Sequence, residues 1–380
     1  MSIQRRTLLL GGAAGALAAD YKPKRRYRVA VIGHTGRGNY GHSWERAWRE
    51  IAEAEVVALA DPDEKGRAAA VARSGARKAY ADYREMIAKE KPDIVTISPR
   101  WCDQRVEMVK AAVDAGAHVL MEKPFAKTLE EADAIVAAVE GKGVKLQVGH
   151  SARAMAVTEG ARELLRKGEL GTLLEIRARG KEDRRAGGED LIVLGTHCFD
   201  LMRYYCGDPL WVFSHVTEQG REVTQSMMRH ATEPVGMVGG DSIAAMFLFP
   251  NGVHGYFGSM ASTDRTGRRF GVSLMGSKAF AFVPLNDVPS AEPYLLRSPA
   301  WAPEKGEPWE RVNYPAGRKP KTRELTNHAM AIDLIEAIET GREPLCGARD
   351  GRWTVEMVAG IYQSQLSGGK VAFPLVKRGG

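Results

Sequence analysis

A cluster of glycines and one aspartate carry the first residues whose spacing suggests chemistry. The glycines follow the apolar run VAVI at 29–32, and Asp61 ends the next apolar run. Glycines in such a turn let the backbone approach a pyrophosphate, and a following helix N-terminus stabilises its charge. The predicted cofactor-binding residues are Gly33, Thr35, Gly36, Arg37, Gly38 and Asp61. The spacing differs from G-x-G-x-x-G, because Thr35 stands where the second glycine is expected.

Asp61 suggests which dinucleotide would bind. A carboxylate at the end of the second strand can bind both ribose hydroxyls, and it would repel a 2′-phosphate. The sequence therefore favours NAD over NADP. The alternative is a structural one, in which the glycines form a plain turn and Asp61 caps a helix before Pro62.

The residues around this cluster alternate between strand and helix patterns. Strands are predicted over 26–33, 55–60, 93–97, 118–121 and 145–148, and helices over 43–54, 64–73, 83–89, 104–115 and 129–140. This alternation is typical of a doubly wound parallel sheet. We therefore predict an α/β protein with an N-terminal Rossmann domain at 20–150.

The pattern changes after residue 150 and predicts a second, α+β domain at 151–380. Its helices are predicted over 156–167, 197–205, 327–340 and 354–366, with strands over 173–179 and within 211–283. Residues 284–323 resemble a long loop. The terminal helices are expected to pack back on the Rossmann domain.

The N-terminus has the pattern of an export signal. Arg5 and Arg6 precede a short apolar stretch at 8–17, and small residues follow at 16–18. We predict a signal peptide at 1–19 of the twin-arginine type and a periplasmic location. Because the periplasm has no free nicotinamide pool, the cofactor is expected to be held tightly.

Composition excludes several classes of partner. The net charge of +7 comes from 54 Lys+Arg against 47 Asp+Glu, but these residues are scattered, so no nucleic-acid partner is predicted. The only long apolar stretch is too short for a membrane anchor. None of the four cysteines forms a C-x-x-C pair, and no metal site is predicted. Whether Cys198 and Cys206 form a disulfide stays open.

From residue 29 onward the chain resembles the Gfo/Idh/MocA family, named for glucose–fructose oxidoreductase, inositol dehydrogenase and a rhizopine catabolism protein. The matching motifs are VIG at 31–33 with GRG at 36–38, AD at 60–61, AGAHVLMEKP at 115–124, VGH at 148–150 with Arg153, GELG at 168–171, GTHCFD at 195–200 and FPL at 373–375. The resemblance implies a Rossmann domain, then a domain with a large open, mostly antiparallel sheet. It also implies an active site between them and a dimer or tetramer built through that sheet.

The resemblance also implies roles for individual residues. Lys123 would orient the substrate and polarise its reacting oxygen, and His197 would be the general base, since an imidazole with a pKa near ~6.5 accepts a proton near neutrality. Further cofactor contacts are predicted for Ser98, Pro99, Glu122 and Lys123. The predicted substrate-binding residues are Trp101, which could stack on a sugar ring, Lys123, Arg153, Lys181 in a charged loop, His197 and Asp200.

The chain departs from the family pattern at two positions. Many family dehydrogenases carry an aspartate four residues before the histidine, and here that residue is Val193. Without that carboxylate, His197 lacks the partner that sets its tautomer and basicity. A histidine is also common where Asp103 stands, so this side of the pocket is expected to be reshaped.

These residues lead to competing hypotheses about function. The first is an NAD(P)-dependent oxidoreductase that acts on a sugar, cyclitol or related polyol by hydride transfer. The second is a redox-neutral glycoside hydrolase on the same fold, which uses NAD transiently in oxidation, elimination, hydration and reduction. The predicted export and Val193 favour the second hypothesis, and the His-x-x-Asp element at 197–200 disfavours it. The third is a non-catalytic nucleotide-binding protein, which the presence of both Lys123 and His197 disfavours.

Overall fold

The computed structural model describes residues 21–261, 269–286, 293–300, 305–312 and 323–376. The predicted signal peptide at 1–19 lies outside these residues. The N-terminal unit consists of β1 (Tyr27–Ile32), β2 (Ala54–Ala60), α1 (Glu64–Ser74), β3 (Lys78–Tyr80), α2 (Tyr83–Glu90), β4 (Ile94–Ile97), α3 (Arg105–Asp114), β5 (His118–Met121), α4 (Leu129–Lys142) and β6 (Leu146–Val148).

These strands form one parallel sheet, as the alternating pattern predicted. Within the described residues its order is β3-β2-β1-β4-β5-β6. The central strands are apolar and buried because helices cover both faces of the sheet. The strand order reverses between β1 and β4, and ligands of such sheets bind at the carboxyl ends of the strands there. The Rossmann fold is therefore confirmed.

The C-terminal unit is larger and mixed. It consists of α5 (Ala156–Arg166), β7 (Leu173–Arg179), α6 (Gly188–Val193), α7 (Gly195–Cys206), β8 (Trp211–Glu218), β9 (Arg221–Glu222), β10 (Arg229–His230), β11 (Met237–Val238), β12 (Ser242–Leu248), β13 (His254–Met260), β14 (Gly271–Gly276), β15 (Phe280–Pro284), β16 (Tyr294–Leu296), β17 (Glu310–Arg311), α8 (Arg323–Thr340), α9 (Ala348–Ser367) and β18 (Val371–Ala372).

The large sheet of this unit is open and mostly antiparallel. In the described part of the chain its order is β17-β16-β15-β14-β7-β13-β12-β8-β18, with β9 beside β8. The pair β13–β7 is parallel, and the other pairs are antiparallel. The predicted fold class is confirmed here too, although the predicted loop at 284–323 contains β16 and β17.

The two units have separate hydrophobic cores, and the C-terminal helices contribute to both. Buried residues of α8, such as Met330 and Leu334, belong to the core of the parallel sheet. The helix α9 contributes Val355 to that core, and Met357 and Ile361 to the core of the large sheet. The chain therefore returns at its end to join the two units.

The prediction of a helix over 43–54 is wrong. The structure has only a 3-10 turn at Trp44–Arg46, preceded by Asn39, Gly41 and Ser43 with positive φ. Buried tryptophans explain the irregular path, because the indole N–H of Trp44 donates to Glu122 and that of Trp48 donates to Thr96. These long-range hydrogen bonds fix the segment where local propensity would have formed a helix.

Two further observations concern the predicted membrane and disulfide properties. No helix among the described residues has the length and apolar character that crossing a membrane requires. The described cysteines, at 102, 198, 206 and 346, are all free. Cys198 and Cys206 lie on the same helix, α7, where eight residues rise about 12 Å. That separation exceeds the reach of a disulfide.

Candidate active site

The glycine turn after β1 packs tightly against its surroundings. A Cβ at Gly33 would lie 2.1 Å from the ring of Tyr40, and one at Gly38 would lie 2.6 Å from the backbone nitrogens of Arg100 and Trp101. Gly36 and Gly38 have φ of 82° and 78°, a region that glycine reaches without cost. The turn therefore needs glycine at these positions for both space and conformation.

The sequence analysis missed one glycine of this turn. Gly36, Gly38 and Gly41 have the spacing G-x-G-x-x-G, which begins three residues after Gly33. Gly41 has a φ of 56°, and a Cβ there would lie 2.2 Å from a carboxylate oxygen of Glu122. The spacing alone could have identified Gly41. Its role differs from the usual one, because Gly41 packs closely against the carboxylate of Glu122 and no long helix begins after it.

Asp61 lies buried at the end of β2 and accepts hydrogen bonds from the glycine turn. The donors are the backbone N–H of Thr35 at 3.1 Å, the Thr35 hydroxyl at 2.7 Å, the Tyr40 hydroxyl at 2.7 Å and the backbone N–H of Asp63 at 3.0 Å. Burial and the hydrogen bond to Asp61 raise the pKa of Tyr40 above its usual value. The turn and the carboxylate thus hold each other in place.

An open cavity beside Asp61 fits the adenosine half of a dinucleotide. It has a volume of about 210 Å³, and Gly33, His34, Ala60 and Pro62 line it. It therefore lies at the carboxyl ends of β1 and β2, where this fold binds nucleotides. The residues present fit NAD, on the condition that a ribose hydroxyl replaces the hydroxyl of Thr35 or Tyr40 as a hydrogen-bond donor to Asp61.

Arg37, Trp101 and Asp103 lie together on one side of the turn. The guanidinium of Arg37 forms an ion pair with Asp103 and lies 5.6 Å from the ring centre of Trp101. Asp103, which stands where a histidine is common, thus holds Arg37. That this contact reshapes the pocket stays a prediction.

Ser98, Pro99 and Glu122 follow the next strands of the sheet. Ser98 donates its backbone N–H to Ile32, and among the described residues its buried hydroxyl has no hydrogen-bond partner. The backbone oxygen of Pro99 accepts a hydrogen bond from Arg105. Both residues therefore lie at the carboxyl end of β4, beside the glycine turn.

Glu122 connects the end of β5 to the segment after the glycine turn. Its carboxylate accepts hydrogen bonds from the backbone N–H and the ring of His42, at 2.8 and 2.7 Å, and from Trp44 at 2.9 Å. Burial alone would raise the pKa of Glu122, but His42 and Lys123 outweigh it and hold the pKa at about 2. Glu122 is therefore a buried anion beside Lys123.

Lys123 is buried, and its ammonium group reaches the C-terminal unit. Its Nζ donates to the backbone oxygen of Val193 at 2.9 Å. Burial lowers the pKa of Lys123 to about 8; the positive charges of Arg185 and Arg100 act in the same direction, and Glu122 opposes them. Val193, which stands where an aspartate is common in the family, thus accepts the hydrogen bond of Lys123 through its backbone oxygen.

Arg185 is a charged neighbour of Lys123 that the sequence analysis did not select. It lies in the charged loop from which only Lys181 was chosen, and it forms an ion pair with Asp183 at 2.6 Å. The backbone N–H of Lys181 instead donates to the buried Asp190 at 3.2 Å, which secures the loop. Charge density identified the loop, but the fold decides which of its residues approaches Lys123.

His197 lies in the first turn of α7 and contacts a second histidine. Its ring meets that of His150 edge to face, with ring centres 5.4 Å apart. His150 follows β6 and is fully buried. Burial lowers its pKa to about 4, although the charge of Asp200 opposes this, and Lys123 contributes to the lowering. The two predicted catalytic residues, Lys123 and His197, therefore both lie near His150.

Arg153 and Asp200 form a buried ion pair beneath the histidines. Arg153 donates to Asp200 at 2.8 Å, to the backbone oxygen of Leu345 at 2.7 Å and to Asp350 at 3.1 Å. These contacts join α7 to the segment around α9. Substrate binding by Arg153 and Asp200 stays a prediction, and the geometry does not favour it because both side chains are buried and occupied by each other.

His150, Asp200 and Cys346 are the described residues whose side chains could together hold a metal ion. Their ligand atoms lie within 4.8 Å of one another. Arg153, however, contacts both carboxylate oxygens of Asp200. A cation there would face a guanidinium, so the geometry favours a hydrogen-bonded chain over a metal centre.

Comparison with known proteins identifies the two units. Residues 27–150 match the model described as the oxidoreductase family with an NAD-binding Rossmann fold, and residues 158–281 match the GFO/IDH/MocA C-terminal domain. D-apiose dehydrogenase from Paraburkholderia graminis is 27% identical over 373 residues, which cover 94% of this chain and 92% of that protein. Levoglucosan dehydrogenase from Pseudarthrobacter phenanthrenivorans is 26% identical over 226 residues, 53% of this chain and 57% of that protein.

Solved structures share the whole architecture. A levoglucosan dehydrogenase in complex with NADH and levoglucosan superposes with a TM-score of 0.75 at 21% identity, over 92% of this chain and 100% of that one. An NAD-binding oxidoreductase from Klebsiella pneumoniae superposes with a TM-score of 0.74 at 19% identity, over 93% of this chain and 100% of that one. The chain therefore belongs to the GFO/IDH/MocA family of oxidoreductases and carries that family's NAD-binding Rossmann domain.

Proposed function

We propose that this protein is an NAD-dependent dehydrogenase that oxidises a hydroxyl group of a sugar, cyclitol or related polyol. The observation that carries the proposal is Lys123, a buried lysine with a pKa of about 8 at the carboxyl end of β5. A perturbed lysine that joins two units at the expected nucleotide site is typical of a catalytic position. When bound, NAD supplies the acceptor for the hydride.

Lys123 and His197 have different roles at the reacting oxygen of the substrate. With a pKa of about 8, Lys123 can donate a hydrogen bond to that oxygen and still exchange a proton near neutral pH. His197 accepts the hydroxyl proton as general base. The hydrogen bond from Lys123 to Val193 brings the lysine to the residue four positions before His197.

The relatives support a carbohydrate as the substrate. Two of the relatives are named D-apiose dehydrogenase and levoglucosan dehydrogenase. Both names are those of sugar dehydrogenases, and the ammonium group of Lys123 together with the nearby guanidinium groups of Arg100 and Arg185 offers donors for sugar hydroxyls. We expect Trp101 to stack on the sugar ring, since its side chain is half-buried beside the glycine turn.

The test is reduction of NAD by a panel of free sugars and cyclitols. The wild type is expected to reduce many equivalents of NAD with at least one member of the panel, whereas Lys123→Met and His197→Ala lose that activity. Lys127→Met is the matched control, because Lys127 is a partly exposed lysine paired with Glu131. Activity that survives in Lys123→Met would contradict the proposal.

A redox-neutral glycoside hydrolase is the second candidate. Val193 favours it, because the carboxylate that family dehydrogenases place before the histidine is missing. This candidate predicts release of aglycone from nitrophenyl glycosides with NAD in catalytic amount and no net nicotinamide reduction. Net reduction by a free sugar without aglycone release would exclude it.

We also propose that the protein is exported through its N-terminal segment. The support is the sequence of residues 1–19, with Arg5 and Arg6 before an apolar stretch. The wild-type chain is expected in the periplasmic fraction of a bacterial host, and Arg5→Lys with Arg6→Lys is expected to retain it inside. Equal distribution of both chains would contradict export by this route.

We further propose that the open face of the large sheet pairs with a second copy of this chain. Phe213 and Met260 are each 44% exposed on this face, beside Tyr256 and Phe282, and an open concavity of about 670 Å³ lies over them. Contiguous exposed apolar groups on a sheet mark an interaction surface. Light scattering is expected to give a dimer or tetramer that Phe213→Asp dissociates, and a monomeric wild type would contradict this.

A further inference from the structure

A short hairpin of the C-terminal unit reaches across to the Rossmann unit. Among the described residues its strands β10 and β11 form a two-stranded sheet, separate from the large sheet, and residues 231–236 form its tip. The tip is compact, because the backbone N–H of Ala231 donates to the backbone oxygen of Gly236 at 3.1 Å. The proposed reaction gives this hairpin no role.

The tip contacts the segment of the Rossmann unit that follows β4. Glu233 forms an ion pair with Arg100 at 3.1 Å. The backbone N–H of Cys102 donates to the backbone oxygen of Pro234, also at 3.1 Å. Arg100 and Cys102 flank Trp101, the residue that is expected to stack on the sugar ring. The tip therefore lies beside the expected position of the substrate.

The same tip packs against both segments that the hydrogen bond of Lys123 joins. A Cβ on Gly236 would lie 3.0 Å from the backbone oxygen of Lys127 and 3.2 Å from the side chain of Ile192. Lys127 lies four residues after Lys123 in the Rossmann unit. Ile192 directly precedes Val193, whose backbone oxygen accepts the hydrogen bond of Lys123 at 2.9 Å. The tip thus spans the place where Lys123 crosses between the units.

Lys123 is enclosed in this arrangement. Its side chain is only 1% exposed, although the proposed reaction requires its ammonium group to meet an oxygen of the substrate. Many enzymes solve this problem with a loop or hairpin that opens to admit the substrate and then closes to exclude water. An element that covers Lys123 must therefore move before the substrate can bind there.

Partly exposed polar contacts hold the tip in place. The side chains of Arg100 and Glu233 are 34% and 27% exposed. On the other side, Thr232 donates to Glu189 of α6 through its backbone N–H at 2.6 Å and its hydroxyl at 3.0 Å. Such exposed pairs contribute little, because water screens them. Val235, which is 0% exposed, favours the closed position because its apolar side chain leaves water there.

The base of the hairpin has the features of a hinge. Gly239 is tied to the hydroxyl of Tyr362 on α9, which accepts from its backbone N–H at 3.0 Å and donates to its oxygen at 3.1 Å. Gly240 follows with a φ of 84°, a conformation that glycine adopts without cost. Hinges are a few residues at the ends of elements that absorb changes in φ and ψ. The tip can therefore turn while the base stays attached.

We propose that the hairpin at 229–238 is a gate over Lys123, with the ion pair between Glu233 and Arg100 as its latch. In the closed state Lys123 is bonded to Val193 and shielded from water. In the open state the tip leaves α6 and the segment after β4, and the substrate reaches Lys123. This inference rests on the proposed role of Lys123 at the substrate oxygen.

A crosslink between the tip and α6 tests the movement directly. Thr232→Cys with Glu189→Cys places two cysteines at neighbouring positions outside the proposed chemistry, and a short bismaleimide with a reducible disulfide joins them after folding. Opening is read from the acetylation of Lys123 by acetic anhydride without nucleotide, followed by peptide mass spectrometry. A lysine with a pKa of about 8 reacts readily once it is exposed.

We expect the crosslink to slow the acetylation of Lys123 about tenfold or more, because the reaction follows the population of the open state. Reduction of the crosslink is expected to restore the rate. Lys127, which is partly exposed in the closed state, is the internal control and is expected to react equally in all samples. Wild-type protein treated with the same reagent controls for its native cysteines.

Hydrogen exchange of the hairpin tests the latch. Glu233→Gln keeps the shape of the side chain and removes its charge opposite Arg100. We expect amide exchange at 229–238 to become about two- to fivefold faster, the effect of losing one exposed ion pair. Glu169→Gln is the matched control, because it removes a partly exposed pair with Arg297 in the same unit. Exchange at 229–238 is expected to stay unchanged in this control.

The outcomes separate the gate from the proposed reaction. Equal acetylation of Lys123 with and without the crosslink would overturn the gate, since Lys123 would then be reached by separation of the units. Unchanged exchange at 229–238 in Glu233→Gln would overturn the latch. A wild type that oxidises no sugar, in which the crosslink still slows acetylation of Lys123, would support the gate and contradict only the reaction.

Discussion

Replacement of Lys123 by methionine is expected to stabilise the protein while removing its activity. The folded state lowers the pKa of Lys123 from 10.5 to about 8. One pKa unit corresponds to about 1.4 kcal/mol, so the buried charge costs about 3 kcal/mol near pH 7. Loss of the hydrogen bond to Val193 offsets about 1 kcal/mol. We therefore expect Lys123→Met to raise the free energy of unfolding by about 2 kcal/mol.

The difference in stability between Lys123→Met and the wild type depends on pH. Between the folded pKa of about 8 and the ordinary value of 10.5, the unfolded chain holds the proton of Lys123 and the folded protein does not. The contribution of Lys123 to the wild-type stability therefore rises with pH across this window. In Lys123→Met this contribution is absent, so its advantage over the wild type shrinks as the pH increases.

Urea unfolding followed by tryptophan fluorescence measures both effects. Lys127→Met is the control, and we expect its stability to stay within about 0.5 kcal/mol of the wild type. Lys123→Met is also expected to lower kcat by about 10²–10⁴-fold, the usual contribution of a proton-transfer group. A Lys123→Met protein that is less stable than the wild type near neutral pH, or equally active, would refute the reasoning.

Substitutions in the glycine turn test the nucleotide site. Asp61→Ala is expected to weaken NAD binding by about 10–100-fold in calorimetry, because hydrogen bonds to a charged group are lost, and to reduce the preference over NADP; unchanged affinity would place the ribose elsewhere. Tyr40→Phe frees an acceptor on Asp61 and is expected to tighten NAD binding several-fold, whereas weaker binding would mean that Tyr40 contacts the nucleotide. Gly38→Ala is expected to destabilise the protein more than Gly36→Ala in thermal melts, since both have positive φ but only Gly38 meets backbone atoms, those of Arg100 and Trp101; equal melting temperatures would contradict the packing of the turn.

Local patterns predicted the sheet, the glycine turn and the motifs around Lys123. Strands such as β1 are continuous apolar runs, because both faces of a parallel sheet are buried. Asp61 could be identified because it directly follows the apolar run of β2 and so lies at the carboxyl end of a predicted strand. These features depend on neighbours in the sequence, and pattern analysis detects them.

Contacts between distant parts of the chain could not be predicted in this way. The segment 43–54 is irregular because Trp44 and Trp48 reach Glu122 and Thr96, and no local pattern contains that information. The assignment of Arg153 to substrate binding likewise did not foresee its partners Asp200 and Asp350, which lie 47 and 197 residues away. Buried polar clusters of this kind are visible only after the chain has folded.

The most direct test of the central claim is a count of nicotinamide reduced per protein when a free sugar and excess NAD are supplied. A dehydrogenase is expected to reduce many equivalents with at least one sugar or cyclitol, and Lys123→Met is expected to do so about 10²–10⁴-fold more slowly. No net reduction, combined with aglycone release from a nitrophenyl glycoside that depends on catalytic NAD, would contradict the claim and assign the protein to the redox-neutral hydrolases.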